Sequence, residues 1–262
     1  MCIIAIYTGP LSGGAMPADF EASTLWRVSC FDRLHEQSVM GGLHGGDQQT
    51  LLSSTLQDEL YALERRHESS DALEVIAACM RLQEPALVYV RCHDFVWPVT
   101  VFPAQMLHHA PRALVEASEK GLAGASVISV EPAVLRPPGD PMRDRVAADA
   151  SYWPLGPALW SLALNGPRSR LLAEIGGTAA YRAMRNPRTE NLPLPGALAP
   201  AVDRLRREAV SLKQIADWPG MSAERGARLL NALYLCSNLM VTRSHSSAQS
   251  EPRRSLFGLL SR

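Results

Sequence analysis

At 262 residues, 47% of them hydrophobic, the chain is long enough for one large domain or two ordinary ones and too apolar to be a disordered polypeptide. Its 26 basic and 26 acidic residues cancel, which excludes a bulk field that would draw the whole molecule to nucleic acid or anionic membrane. The cancellation is uneven: from Ala201 onward ten Lys/Arg face five acids, so the last 62 residues carry +5 and the first 200 carry −5.

The opening MCIIAIYTGP has an apolar run with no basic residue before it and no small-residue cleavage site after it, so no secretory leader is expected. No stretch reaches the roughly 18 apolar residues of a membrane helix, and no membrane insertion is expected. Cys2, Cys30, Cys79, Cys92 and Cys236 are odd in number and irregularly spaced, which fits reduced thiols. Arginine far outnumbers lysine, the bias of a GC-rich bacterial genome. The reading is of a bacterial cytoplasmic protein.

In chain order, Ile3 to Tyr7 is a β-prone run followed by the loop GPLSGGAMP, and GGLHGG over Gly41 to Gly46 separates a strand candidate, Trp26 to Phe31, from a leucine-rich stretch. There Leu52, Leu56, Leu60 and Leu63 recur at helical spacing within Gln49 to Arg66, and a second helix runs from Ser70, its N-cap, to Leu82. PALVYVR (85 to 91) and FVWPVTVF (95 to 102) are strands of a hairpin, with Pro98 marking the second as an edge or bulged strand. A helix from Ala104 to Lys120, interrupted by Pro111, leads to a strand at Ala125 to Val130. The front of the chain therefore reads as α+β, a mixed sheet with packed helices, over residues 1–140.

The PPGDP run (137 to 141) marks a boundary. Residues 141–199 read as a helical connector: a buried helix over Leu155 to Leu164, a short helix from Pro167 to Ile175, and a linker, NPRTENLPLPGALAP, from Asn186 to Pro200. Residues 200–245 read as a winged-helix or helix-turn-helix-like module. Ala201 to Val210 is amphipathic, Ser211 to Gln214 has the form of a capping box, Trp218, Pro219 and Gly220 force a turn, and Ser222 caps a leucine-faced helix reaching Ser237. Met240 to Thr242 could start a wing. Residues 246–262 are a polar tail with an apolar tip, Leu256, Phe257, Leu259 and Leu260, suited to docking on its own domain or on a partner.

Several motifs approach a known chemistry and stop short. Gly9 and Gly14 resemble a phosphate-binding loop, but Ala15 and Met16 stand where a Lys and a Ser or Thr would meet phosphate and Mg²⁺. Cys2 resembles the N-terminal nucleophile of class II glutamine amidotransferases, without the arginine and glycine segments that would hold glutamine. His108 and His109 are adjacent, with Cys92 and His93 in the preceding hairpin; neighbours on a helix diverge by about 100° and rarely share a metal, so they read as surface histidines. RPPGDPMRDR resembles the R-x-G-D motif of cyclic-di-GMP receptors with one extra residue before the glycine. Arg136, Asp140, Arg143 and Arg145 are accordingly a candidate guanine-nucleotide site, with a solvated loop as the plain alternative. No G-x-S-x-G elbow or H-E-x-x-H helix occurs.

No catalytic residue, cofactor or metal set is assigned. The leading expectation is a non-catalytic regulatory or adaptor protein acting through protein–protein interaction. The alternative is a DNA-binding transcriptional regulator that presents Arg225, Arg228 and Asn231, three residues apart, to a major groove; a guanine-nucleotide receptor is the second alternative. Glu224, beside those arginines, opposes the approach of phosphate. The same three side chains serve either DNA or a protein partner.

Overall fold

The computed structural model describes residues 25–32, 51–114, 116 and 122–244. The chain divides into two compact units, Met1–Arg168 and Ser169–Arg262. The breaks expected at 140 and 199 both fall inside a unit. The P-loop-like Gly9 to Gly14, Cys2 and the tail tip Leu256, Phe257, Leu259 and Leu260 lie outside the described residues.

In the first unit the leucine spacing produces α1 (Ser54–Arg65), capped by Ser53, whose hydroxyl accepts from the Leu56 amide and donates to Glu84. Asp71, rather than Ser70, caps α2 (Ala72–Leu82), because its carboxylate accepts from the amides of Leu73 and Glu74 at 3.0 and 3.4 Å. Nearer the start of the chain, β1 (Trp26–Arg27) is shorter than expected, since the chain turns helical over residues 28–32. The hairpin forms as read, β2 (Ala86–Cys92) against β3 (Phe95–Phe102).

Ahead of Pro111 the expected 104–120 helix is instead a 3-10 turn, Pro103–Gln105, and a strand, β4 (Leu107–His109), which then pairs β6 (Tyr152–Pro154); beyond Pro111, Leu114 and Glu116 are helical. Met106, at φ 52°, reverses the chain so that Leu107 to His109 lie along β3. With β5 (Ser126–Pro132) the sheet order is β5-β2-β3-β4-β6, with β1 also on β3. Among the described residues every ladder is antiparallel, where a mixed sheet was expected, and the one parallel contact is a bridge between Arg136 and Val146.

Strand β3 is an interior strand despite Pro98. Its far edge is paired at residues 95–96 by β1 and at 100–102 by β4, and Pro98 falls in the gap, where no ladder hydrogen bond is lost. Alternation then sorts the side chains. Leu87, Tyr89, Val96 and Phe102 meet Phe31 and Leu135, while Ala86 on the other side meets Leu56, Ala78 and Cys79. Helix α3 (Leu155–Asn165) is buried at Leu155, Ala158, Leu159, Trp160, Leu162 and Ala163, as its all-round apolarity predicts.

In the second unit β7 (Ala180–Ala183) pairs β8 (Leu239–Thr242), and Tyr181 also bridges Val210. The segment 186–200 is folded rather than a linker: it contains a 3-10 turn at Pro187–Glu190, buries Leu192, and starts α4 (Leu198–Leu205). Helix α5 (Leu212–Ala216) carries the expected capping box, and α6 (Ala223–Leu235) the expected Ser222 cap. The two helices approach closely at Gly226, where a Cβ would stand 2.8 Å from Leu212 Cδ1 and 3.1 Å from Ile215 Cγ2. Val202, Leu205, Ile215, Leu229, Leu230 and Leu233 close the core of this unit.

Candidate functional site

The α5–turn–α6 segment positions two of the three expected contact residues outward. Gly220, at φ +74°, makes the turn, and the Arg204 guanidinium lies 4.7 Å over the Trp218 ring. Arg225 is exposed and donates to the Gly220 carbonyl at 2.6 Å; Arg228 is half-buried and pairs with Glu224 one turn earlier at 3.0 Å. Asn231 is not outward. It is fully buried, accepting from the Leu172 amide and donating to the Arg170 carbonyl, both at 2.9 Å. The reason is helical phase. Three-residue steps drift about 60° each, so Arg225, Arg228 and Asn231 pass from exposed through half-buried to buried.

The clamp also explains why Pro167 to Ile175 does not form the expected helix. Its polar backbone at 170 and 172 is bound by a side-chain amide instead. Asn238 repeats the device: nearly inaccessible, it accepts from the Arg185 amide at 2.5 Å and donates to the Arg185 carbonyl at 3.2 Å, extending the β7–β8 ladder.

That ribbon is a surface which sequence reasoning missed except for its second strand. Arg182 pairs across it with Met240, and both are exposed; Met184, just past the end of β7, is also exposed. Arg185, 68% exposed at its side chain, reaches Glu190 at 3.7 Å. Met184 and Met240, at 53% and 44% exposure, stand with Arg182 on one face of the ribbon by alternation and register. The division at Arg168 sharpens the charge asymmetry. The first unit has 12 Lys/Arg and 19 Asp/Glu, the second 14 and 7, so they carry −7 and +7.

No family model, curated protein or solved structure matches the chain. Its chemistry is therefore read from its own residues.

The candidate nucleotide loop closes on itself. The Arg136 amide donates to the Arg145 carbonyl, Tyr152 Oη donates to the Arg136 carbonyl at 2.6 Å and accepts from the Ala147 amide, and the Asp140 carboxylate accepts from the Met142 amide at 2.9 Å. Arg143 and Arg145 stand on a 3-10 turn, and Arg136 Nε is buried without a hydrogen bond among the described residues. Asp140 thus shapes the turn, and Arg136 and Arg145 are joined through their backbones.

His108 and His109 are buried, not on the surface, because β4 lies between β3 and β6. As strand neighbours they face opposite sides of the sheet; His109 packs edge-on against Tyr152, with ring centroids 5.3 Å apart. Burial pushes both imidazoles down to about 4, His108 with help from the neighbouring His109 and with partial relief from the backbone of Trp153 and Pro154. Both are neutral at pH 7.

The first unit also holds a buried ionic cluster that no sequence pattern announced. Arg168 binds Asp71 at 2.7 Å and Glu74 at 2.5 Å, with Glu68 at 3.8 Å. Asp71 serves twice, capping α2 with one oxygen and holding Arg168 with the other. Among the described residues no three His, Cys, Asp or Glu side chains are arranged to hold a metal ion. Burial raises the thiols of Cys79 and Cys236 to about 12 and that of Cys92 to about 11, which makes them poor nucleophiles. No helix among the described residues is long and apolar enough to cross a membrane.

Proposed function

We propose that the chain is a non-catalytic regulatory or adaptor protein that docks another protein through its second unit. In this reading residues 169–244 are a winged-helix-like module, with α4, α5 and α6 as its helical body and the β7–β8 ribbon in the place of the wing. One contrast carries the proposal. Helix α6, which would have to read DNA, is buried at every position from Leu229 to Leu233, while the ribbon leaves Met184 and Met240 open beside Arg182. A groove reader needs a helix face several side chains long; a protein contact needs apolar surface with arginine around it.

DNA binding is the second reading, favoured by the +7 charge of the unit and by Arg225 at the start of α6. The guanine-nucleotide reading draws no support from a loop whose Asp140 is engaged by its own backbone. A photo-cross-linking amino acid at position 240, with position 213 as the control site, tests the proposal in the native cell. The expected result is one recurrent protein adduct from position 240. If labelled duplex DNA instead binds with a steep loss of affinity between about 50 and 200 mM salt, and Arg225→Glu abolishes that binding, the adaptor reading fails and the DNA reading replaces it.

A further inference from the structure

The register of the ribbon decides which backbone groups of β8 are open. Tyr181 exchanges both its main-chain hydrogen bonds with Val210, at 2.8 and 3.1 Å, so its polar groups point away from β8. Tyr181 and Val241 are therefore a non-bonded pair of the β7–β8 ladder, and the pairs Arg182–Met240 and Ala180–Thr242 carry its bonds. The N–H and C=O groups of Leu239 and Val241 accordingly face outward. Neither residue makes a hydrogen bond beyond the ribbon among the described residues.

Sheet edges are ordinarily guarded by charge, proline or a bulge. The sequence of β8, Leu-Met-Val-Thr, has no charge or proline and its register with β7 is regular. The next residue, Arg243, is charged but turned back on the carbonyls of Glu174 and Gly176, at 3.0 and 2.9 Å. On this strand stands exposed Met240, with Arg182 across from it on β7 and exposed Met184 just past the end of β7. Methionine and arginine are the side chains enriched at protein interfaces, and lysine is depleted there; the cations near this ribbon are all arginines.

We propose that the open edge of β8 accepts an extended acidic and apolar segment of a partner protein as a third strand of the ribbon. Main-chain bonds to Leu239 and Val241 supply the pairing, and alternate apolar side chains cover Met240. The proposal rests on the adaptor reading and adds how the partner binds. Charge selects this occupant over the others. The chain's own residues 246–262 carry three arginines and one glutamate, and edge-to-edge pairing with the same ribbon of a second copy would bring two +7 units together, so charge opposes both. Phosphate has no use for exposed methionine or an open strand edge, whereas an acidic strand satisfies the field, the edge and the apolar pair together.

The test uses the full chain and two synthetic eight-residue peptides, blocked at both ends, one alternating Val with Glu and one alternating Val with Lys. The Val–Glu peptide should bind by calorimetry and slow amide hydrogen exchange at Leu239 and Val241 tenfold or more, while the Val–Lys peptide should do neither. Val241→Pro removes an outward N–H and no bond to β7, so it should abolish the protection; Met240→Lys, which leaves the backbone intact, should weaken binding at least tenfold and covers the case in which the proline variant does not fold. Equal binding of both peptides, unchanged binding by Met240→Lys, protection of the same amides by duplex DNA, or a concentration-dependent dimer that protects them would each overturn the proposal. A protein adduct at position 240 without peptide protection of the edge would leave the adaptor reading standing and remove strand addition alone.

Discussion

His108 and His109 read as surface histidines in sequence and behave as buried neutral rings in the sheet. Their folded values, about 4, lie below the unfolded value near 6.5. The unfolded chain therefore takes up protons first as pH falls. Above about 6.5 the two residues leave stability independent of pH; between about 6.5 and 4 each removes up to roughly 3 kcal/mol, less than additively because the rings interact; below about 4 their contribution levels off. Urea unfolding at about pH 7.5, 5.5 and 4.5 should show this loss, and His109→Phe should make the dependence shallower. A stability that rose with acidity over the same window would contradict the buried, neutral assignment. Residue-level legibility failed here for a definite reason: His-His followed by Ala-Pro has no apolar alternation, and only pairing on both sides of β4 buries it.

At the scale of elements, the legible features were those that depend on local chemistry. The leucine spacing of α1, the capping box of α5, the Ser222 cap and the apolar α3 are all properties of contiguous residues, and all are present. Strand β7 was not legible because its buried residues include Ala180 and Ala183, which announce no strand, and because its partner lies more than fifty residues away. The proline-rich 186–200 segment read as a linker since proline marks irregular backbone equally well whether that backbone is folded or free. The largest misreading concerns Asn231, which joins α6 to the 170–172 segment through two hydrogen bonds. Asn231→Ala should cost roughly 2–4 kcal/mol, because it strands the buried Leu172 N–H, removes the donor to the Arg170 carbonyl and leaves a void. Arg225→Ala, on the exposed turn of the same helix, should stay within about 0.5 kcal/mol apart from its bond to Gly220. Denaturant midpoints of the two variants check this directly, and equal midpoints would return Asn231 to the surface.

For the whole molecule, zero net charge conceals two units of −7 and +7. The count from Ala201 showed the sign of this division but understated it, because Arg170, Arg182, Arg185 and Arg188 lie before that residue and belong to the second unit. A protein with its charges evenly mixed would pass through both kinds of ion exchanger near pH 7. This one should be retained by both at low salt, with elution from each as the Debye length shrinks to about 8–10 Å at 0.1–0.15 M salt. Passage through either column at low salt would show that the two fields cancel in solution.

Arg168 is the last residue of the first unit and also the cation held by Asp71 and Glu74 deep inside it. The point at which that unit ends is thus not a point at which it can be severed. A fragment stopping one residue earlier would keep every helix and strand described for the unit, yet it would leave buried carboxylates facing one another at the start of α2. Autonomy of the front half, in a fusion or a natural rearrangement of the gene, hinges on carrying that single arginine across the join.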